Sequence, residues 1–484
     1  MPRDWGIKDL EYWDAKIREK VAEFGLTCFD QEFECCDHEQ MLGYMAYSGM
    51  PAHYPHWSYG KAFEKLKTLY SYGVQGLPYE MVINAKPALA YLMRDNSLCL
   101  QILTIAHVYG HNDFFANNFT FRETRPELAI PNFKLRADRV RSYAEDPSIG
   151  QHAVEEILDA AHALSLQCRR HTAIRKLGRP EQEQRALDAA VPPRDPFERI
   201  HKRVEMKAPD LTRIPLEPED DILLFIAEHN PFLAEWQKDV LHMVHEEAQY
   251  FIPQIETKIM NEGWASYWHH EIMLALDLPE DLHFEFLVHH NQVIRPHPGG
   301  LNPYHLGFKV WEDIRRRYDN PTPEEIEKYG APDKSGKDKI FEVRETDRDV
   351  SFLRRFLTET LMRDLDLFEY QKKDDKYVVS QVADGDHWEA VRNTLLLNIG
   401  MNTVPVIRIS DADFNHNRVL YLTHEHDGRG LDPDYVEKTL GYVHRLWGRQ
   451  VLLETRVQDK PVIYSFDEQG FGRLKEGGER AGDG

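Results

Sequence analysis

Apolar residues recur at three- and four-residue spacing in 9 to 24, 61 to 72, 97 to 118 and 151 to 167, which predicts a mostly helical stretch up to about residue 175. From 176 to 220 that pattern gives way to charge and proline (Pro180, Pro192, Pro193, Pro196, Pro209, Pro215, Pro218), predicting a long surface excursion rather than a packed element. Helical periodicity returns from 221 to 317. A second polar stretch, 318 to 345, reads as an insertion. After a helical run at 350 to 365 the character changes. β-favouring runs occupy 367 to 372, 376 to 382, 404 to 409, 418 to 423, 450 to 456 and 461 to 465, with helical runs at 387 to 398 and 433 to 447 between them. Two strands then a helix, twice, closed by a hairpin, predict an antiparallel sheet with helices on one face. The expected fold is α+β: a mainly helical N-terminal region, 1–345, a smaller C-terminal α+β domain, 346–472, and a disordered tail, 473–484.

Composition narrows the function. The chain carries 59 Lys plus Arg against 81 Asp plus Glu, a net charge of −22, which repels a polyphosphate and argues against nucleic acid as a partner. No run approaches the roughly 18 to 20 apolar residues of a membrane span, and the start lacks a signal-like apolar core. The five cysteines form no CxxC pair and are odd in number, so neither a zinc ribbon nor a disulfide framework is expected. These features predict a cytoplasmic protein without membrane insertion. Histidine, with 24 copies, is the residue in excess.

Two of those histidines have chemistry in their spacing. In HVYGHND, His107 and His111 lie four apart on a predicted helix, so their imidazoles project from one face and can converge on one ion. This is the spacing of zincin metallopeptidases, except that Val108 stands where those enzymes carry their general-base glutamate. In NEGWASYWHHE, Glu262 follows Asn261, read as a helix N-cap, and suits a third ligand; an EGWA-like segment supplies that glutamate in some helical zinc peptidases. A metal held by His107, His111 and Glu262 leaves a fourth position open. Glu246 or Glu247, from HMVHEEAQYF, would replace the missing base, and His269 or Tyr267 would steady an oxyanion. Glu155, Asp159 and His162 share one stripe of the helix 151 to 167, but they lack the Glu-x-x-His pair of two-metal bundles, so ordinary intrahelical pairing accounts for them better.

The segments YPHWSYGKAFEK, GLPYEMVINAKPALAYLM, IAHVYGHNDFFANN, KIMNEGWASYWHH, NPYHLGFKVWEDI, DVSFLRRFLTETLMRDLDLFEY and LTHEHDGRGLD occur in order, and together the chain resembles the SpoVR family, named for stage V sporulation protein R. The resemblance implies a bacterial cytoplasmic protein of two parts, linked to spore cortex formation and found widely in bacteria that do not sporulate, where a stress-response role is the expectation. It implies a PrkA-type serine kinase and a von Willebrand A-like protein as functional partners. The residues themselves point to a zinc-dependent hydrolase of peptide or amide bonds. The alternative is a catalytically inactive, metallopeptidase-like scaffold acting with that kinase.

Overall fold

A computed structural model describes residues 5–72, 78–170, 175–191, 208–296, 300–373, 376–382 and 387–474, with backbone alone over 368–382. In chain order the elements are α1 (Ile7–Glu23), β1 (Gln31–Cys36), α2 (His38–Ala46), α3 (Trp57–Ser71), β2 (Glu80–Ile83), β3 (Ala88–Met93), α4 (Leu98–Asn117), α5 (Ala129–Glu145), α6 (Gln151–Leu164), α7 (Arg179–Ala189), α8 (Ile222–His229) and α9 (Glu235–Glu256). There follow α10 (Lys258–Ala275), α11 (Glu280–Ile294), α12 (Pro303–Asp319), α13 (Pro323–Tyr329), α14 (Gly336–Thr346), α15 (Asp349–Phe356), α16 (Glu359–Asp364), β4 (Phe368–Lys373), β5 (Lys376–Val382) and α17 (Trp388–Leu397). The chain closes with β6 (Ile407–Phe414), β7 (Val419–His424), α18 (Pro433–Trp447), β8 (Val451–Val457), β9 (Lys460–Asp467) and β10 (Gly470–Leu474). The α+β class, with a helical N-terminal region and a largely antiparallel C-terminal sheet, is as expected.

The compact units are interleaved rather than consecutive. One comprises residues 1–141 and 250–403, the other 142–249 and 404–484. The expected linear division at 345/346 therefore does not follow the packing, because local periodicity says nothing about which segments meet.

In the first unit α4, α10 and α12 form the centre, with α1, α14 and α15 packed around them. The stretch 318 to 345 is no insertion. It holds α13 and most of α14, which buries Lys339, Ile340, Val343 and Arg344. Arg344 reaches Asp113 with one nitrogen 2.7 Å from both carboxylate oxygens, and Trp264 Nε1 donates to the same carboxylate at 2.9 Å. A buried charge is tolerated when paired in this way, and its polar sequence is what disguised the segment. Also unforeseen is a three-stranded sheet in the region read as helical, in the order β1-β3-β2 with β1 parallel to β3 and β2 antiparallel to it. The expected hairpin forms as β4 and β5, which among the described residues pair with each other in a two-stranded sheet.

In the second unit five strands run in the order β10-β9-β8-β7-β6. β7 and β8 are parallel, joined through α18, so the sheet is mixed rather than purely antiparallel. The inner face of α18 (Val436, Leu440, Val443, Leu446, Trp447) is buried, as its three-to-four spacing requires. The polar excursion from 176 contains α7, a helix with Pro180 in its first turn and no buried residue. Residues 192–207 and the end of the expected tail, 475–484, lie outside the described residues.

Candidate metal centre

The helix that carries the histidines is apolar around nearly its whole circumference and is buried from Cys99 to Phe115. It opens at Ser97, whose hydroxyl accepts from Leu100 N. His107 and His111 therefore sit in the interior, 3% and 7% exposed. Two imidazoles there are costly unless something satisfies them.

Glu262 meets them from α10. That helix begins at Lys258, so Asn261 lies inside its first turn rather than capping it; Asp349 accepts from the amides of Ile259 and Met260 at 2.9 and 2.8 Å. Its approach to α4 depends on Gly110, where a Cβ would lie 2.6 Å from Ala265 Cα. On its other side Gly263 and Gly307 let α12 pack equally close, with a Cβ on Gly263 falling 2.3 Å from the Gly307 carbonyl carbon.

The geometry at the meeting point is specific. Glu262 Oε2 lies 3.5 Å from His111 Nε2 and 3.8 Å from His107 Nε2, and Glu80 Oε1, from β2, lies 3.9 Å from His107 Nε2. Donor atoms of Glu80, His107 and His111 all fall within 4.8 Å of one another. Donors sharing one tetrahedral ion at roughly 2.1 Å stand about 3.4 Å apart, so these gaps are too long for good hydrogen bonds yet close to what shared ligation needs. His107 Nε2 and Glu262 Oε2 are buried and have no hydrogen-bond partner. Two orphaned atoms that can each offer a lone pair, facing one another across such a gap, fit a cation between them.

The outward nitrogens are all engaged. His111 Nδ1 donates to Asn261 Oδ1 at 2.9 Å, since an amide oxygen only accepts, and in the neutral ring Nε2 offers its lone pair toward the cluster. His107 Nδ1 pairs with His269 Nδ1 at 2.9 Å, and His269 Nε2 with His290 Nδ1 at 2.8 Å. Burial, reinforced by the neighbouring imidazoles, holds His269 well below the usual histidine range, and burial first, then His270, pulls His290 down to about 3. His269 and His290 are thus neutral rings near neutral pH. Burial opposes ionisation of Glu262, but its contacts with both histidines outweigh it and hold the carboxyl well below the usual range. Burial pushes Glu80 upward. The charge of Glu262, and then burial, raise Tyr304 far above an ordinary phenol, so its hydroxyl, in contact with Glu262, remains a donor.

Two cavities flank the cluster, of about 260 and 440 Å³. Glu80, Tyr304 and Pro78 line both; Glu262 and His111 face only the larger, His107 and His269 only the smaller. The structure brings together His107, His111 and Glu262. His269 joins them as the partner of His107. Tyr267 is brought instead to Arg315, which donates to its hydroxyl and also pairs with Glu271 at 2.9 Å. Glu246 and Glu247 lie on the part of α9 that belongs to the second unit. Glu80, Tyr304 and His290 escaped the sequence reading. Glu80 lies in GLPYEM, a segment without periodicity, and Tyr304 follows a Gly/Pro-rich loop that reads as a turn.

Fold and site together define an α+β protein with a buried cluster of two histidines and two carboxylates that could bind a metal ion. The family description "SpoVR like protein" matches residues 4–404 and "SpoVR-like C-terminal domain" matches 405–458, so the chain belongs to the SpoVR family. The junction between the two matches, at 404/405, falls one residue from a boundary of the compact units at 403/404. The uncharacterized protein YcgB of Escherichia coli (strain K12) is 34% identical over 492 residues, spanning 95% of this chain and 94% of that protein. No solved structure matches the chain.

Proposed function

We propose that the protein is a zinc-dependent hydrolase of amide or peptide bonds. The observation that supports this most is the pair of orphaned buried atoms, His107 Nε2 and Glu262 Oε2, held 3.8 Å apart with His111 Nε2 beside them. His107, His111 and Glu262 would hold the ion; two neutral imidazoles and one carboxylate suit zinc. When bound, zinc supplies Lewis acidity that polarises a carbonyl and acidifies water. Asn261 and His269 orient the two ligand rings. Glu80 takes the base role that Val108 cannot. It faces both cavities, where a substrate would lie, and burial raises its carboxyl above the ordinary carboxylate value, which makes it a stronger base. Tyr304, also lining both cavities, donates to the oxygen on which negative charge develops.

The test is metal content of the full chain purified without added metal, alongside cleavage of a mixed peptide pool. About one equivalent of zinc is expected, lost in His107→Ala and Glu262→Gln. Glu80→Gln should keep the zinc and lose cleavage. Metal well below stoichiometric, unchanged by His107→Ala, would overturn the proposal. Zinc without cleavage would favour a metal-bound scaffold instead.

A further inference from the structure

We infer, resting on that reading, that the larger cavity selects a substrate ending in an apolar residue with a free α-carboxylate, and that Lys258 recognises that carboxylate. One wall of the cavity is apolar (Met81, Val82, Phe115, Phe251, Ile255), and among the described residues Lys258 is the lysine or arginine on its lining. Lys258 is an exposed residue with no ion pair among the described residues, on a chain whose net charge is −22. The backbone does not compete for an anion at this place, because the amides of Ile259 and Met260 are already given to Asp349. The acidic groups that share the cavity, Glu80 and Glu262, are turned to the histidines.

Spacing sets the length of the substrate. Lys258 and Glu262 are four apart on one helix, so they share a face with about 6 Å between their Cβ atoms. A peptide residue spans about 3.5 Å. With the scissile carbonyl at the cluster, the reach of a lysine places its ammonium at a carboxylate one residue further along, and the intervening side chain falls against the apolar wall. The smaller cavity, with Tyr79, Gln292 and Asn302 on its lining, takes the polar chain on the acyl side. Water adds its oxygen to the carbonyl carbon, the C–N bond breaks, and the nitrogen leaves with a proton delivered through Glu80. The products are a shortened peptide acid and a free apolar amino acid, with no change of oxidation state.

The test uses metal-free full-length protein, so that nothing is turned over, and follows by fluorine NMR the binding of acetyl-alanyl-4-fluorophenylalanine and of its C-terminal amide. The acid should bind about tenfold tighter than the amide, a ratio that falls to about one in Lys258→Met, inverts in Lys258→Glu and persists in Lys258→Arg. Equal affinity for the two probes, a preference that survives Lys258→Met, or no binding of either probe would overturn the inference. Failure of the zinc reading appears elsewhere, in metal content, and leaves the ratio of acid to amide untouched.

Discussion

Two sets of polar groups, one in each compact unit, are treated in opposite ways. The set in the second unit is closed off: His245 Nε2 pairs with Asp221 at 2.7 Å, Asp221 also caps α8 through Leu224 N, and His424 Nδ1 meets Thr455 Oγ1 at 2.8 Å. In the first unit the rings of His107 and His111 are tied down on their outward nitrogens, and their inward nitrogens converge with two carboxylates at distances no hydrogen bond favours. A closed polar pair stabilises a fold; an open, rigidly oriented set waits for something to bind. Histidine count does not separate the two cases, but the direction of the unsatisfied atoms does.

The largest effect that would sharpen this contrast is on metal. Substituting His111→Ala should reduce bound metal from about one equivalent to a small fraction, whereas His245→Gln should leave it unchanged. Loss of metal in both variants would dissolve the comparison. Next comes the packing that holds the open set in place. Gly263→Ala puts a methyl group 2.3 Å from backbone in α12, which cannot move aside cheaply. A loss on the order of 3 kcal/mol or more in urea unfolding is expected, with metal affinity falling as α10 is displaced.

A smaller effect belongs to the closed pair. Asp221→Ala removes a helix cap and leaves His245 without its partner. It should cost about 2 kcal/mol in the same experiment and leave metal content as it was. The smallest is a slope with pH. His290 is held neutral in the fold down to about pH 3, while in the unfolded chain it takes a proton near its ordinary pKa of roughly 6.5. The unfolded state therefore binds more protons between those values, so stability is fully present above the unfolded pKa and declines as pH falls through that window. In His290→Gln the fall of thermal midpoint between pH 6.5 and 5 should be shallower, which differential scanning fluorimetry can follow. An unchanged slope would place the acid sensitivity elsewhere.

Much of the fold was legible in the chain. Helices α1, α3, α4, α6 and α18 and the β4–β5 hairpin lie within a few residues of where side-chain spacing put them; α1, α6 and α18 bury one face and α4 nearly every face, which spacing alone dictates. The strands β1 to β3 were not legible. They are short, and β3, buried along most of its length, has no alternation to betray it. Residues 318 to 345 failed for the opposite reason: Arg344 and Lys339 look solvent-facing until Asp113 and Glu342 are seen beside them.

The site divides along the same line. Sequence by itself determined that His107 and His111 face one way and offered Glu262 as their partner, since helical geometry fixes the first and a helix-borne carboxylate ahead of small residues suggested the second. Only the tertiary structure decided that Glu80 joins them from a strand, that Asn261 and His269 orient the rings, and that Tyr304 stands between two cavities. Those residues are separated along the chain, and contacts between distant segments depend on how closely helices can pack. Gly110, Gly263 and Gly307 permit that closeness, and their consequence is visible only once the helices are in place.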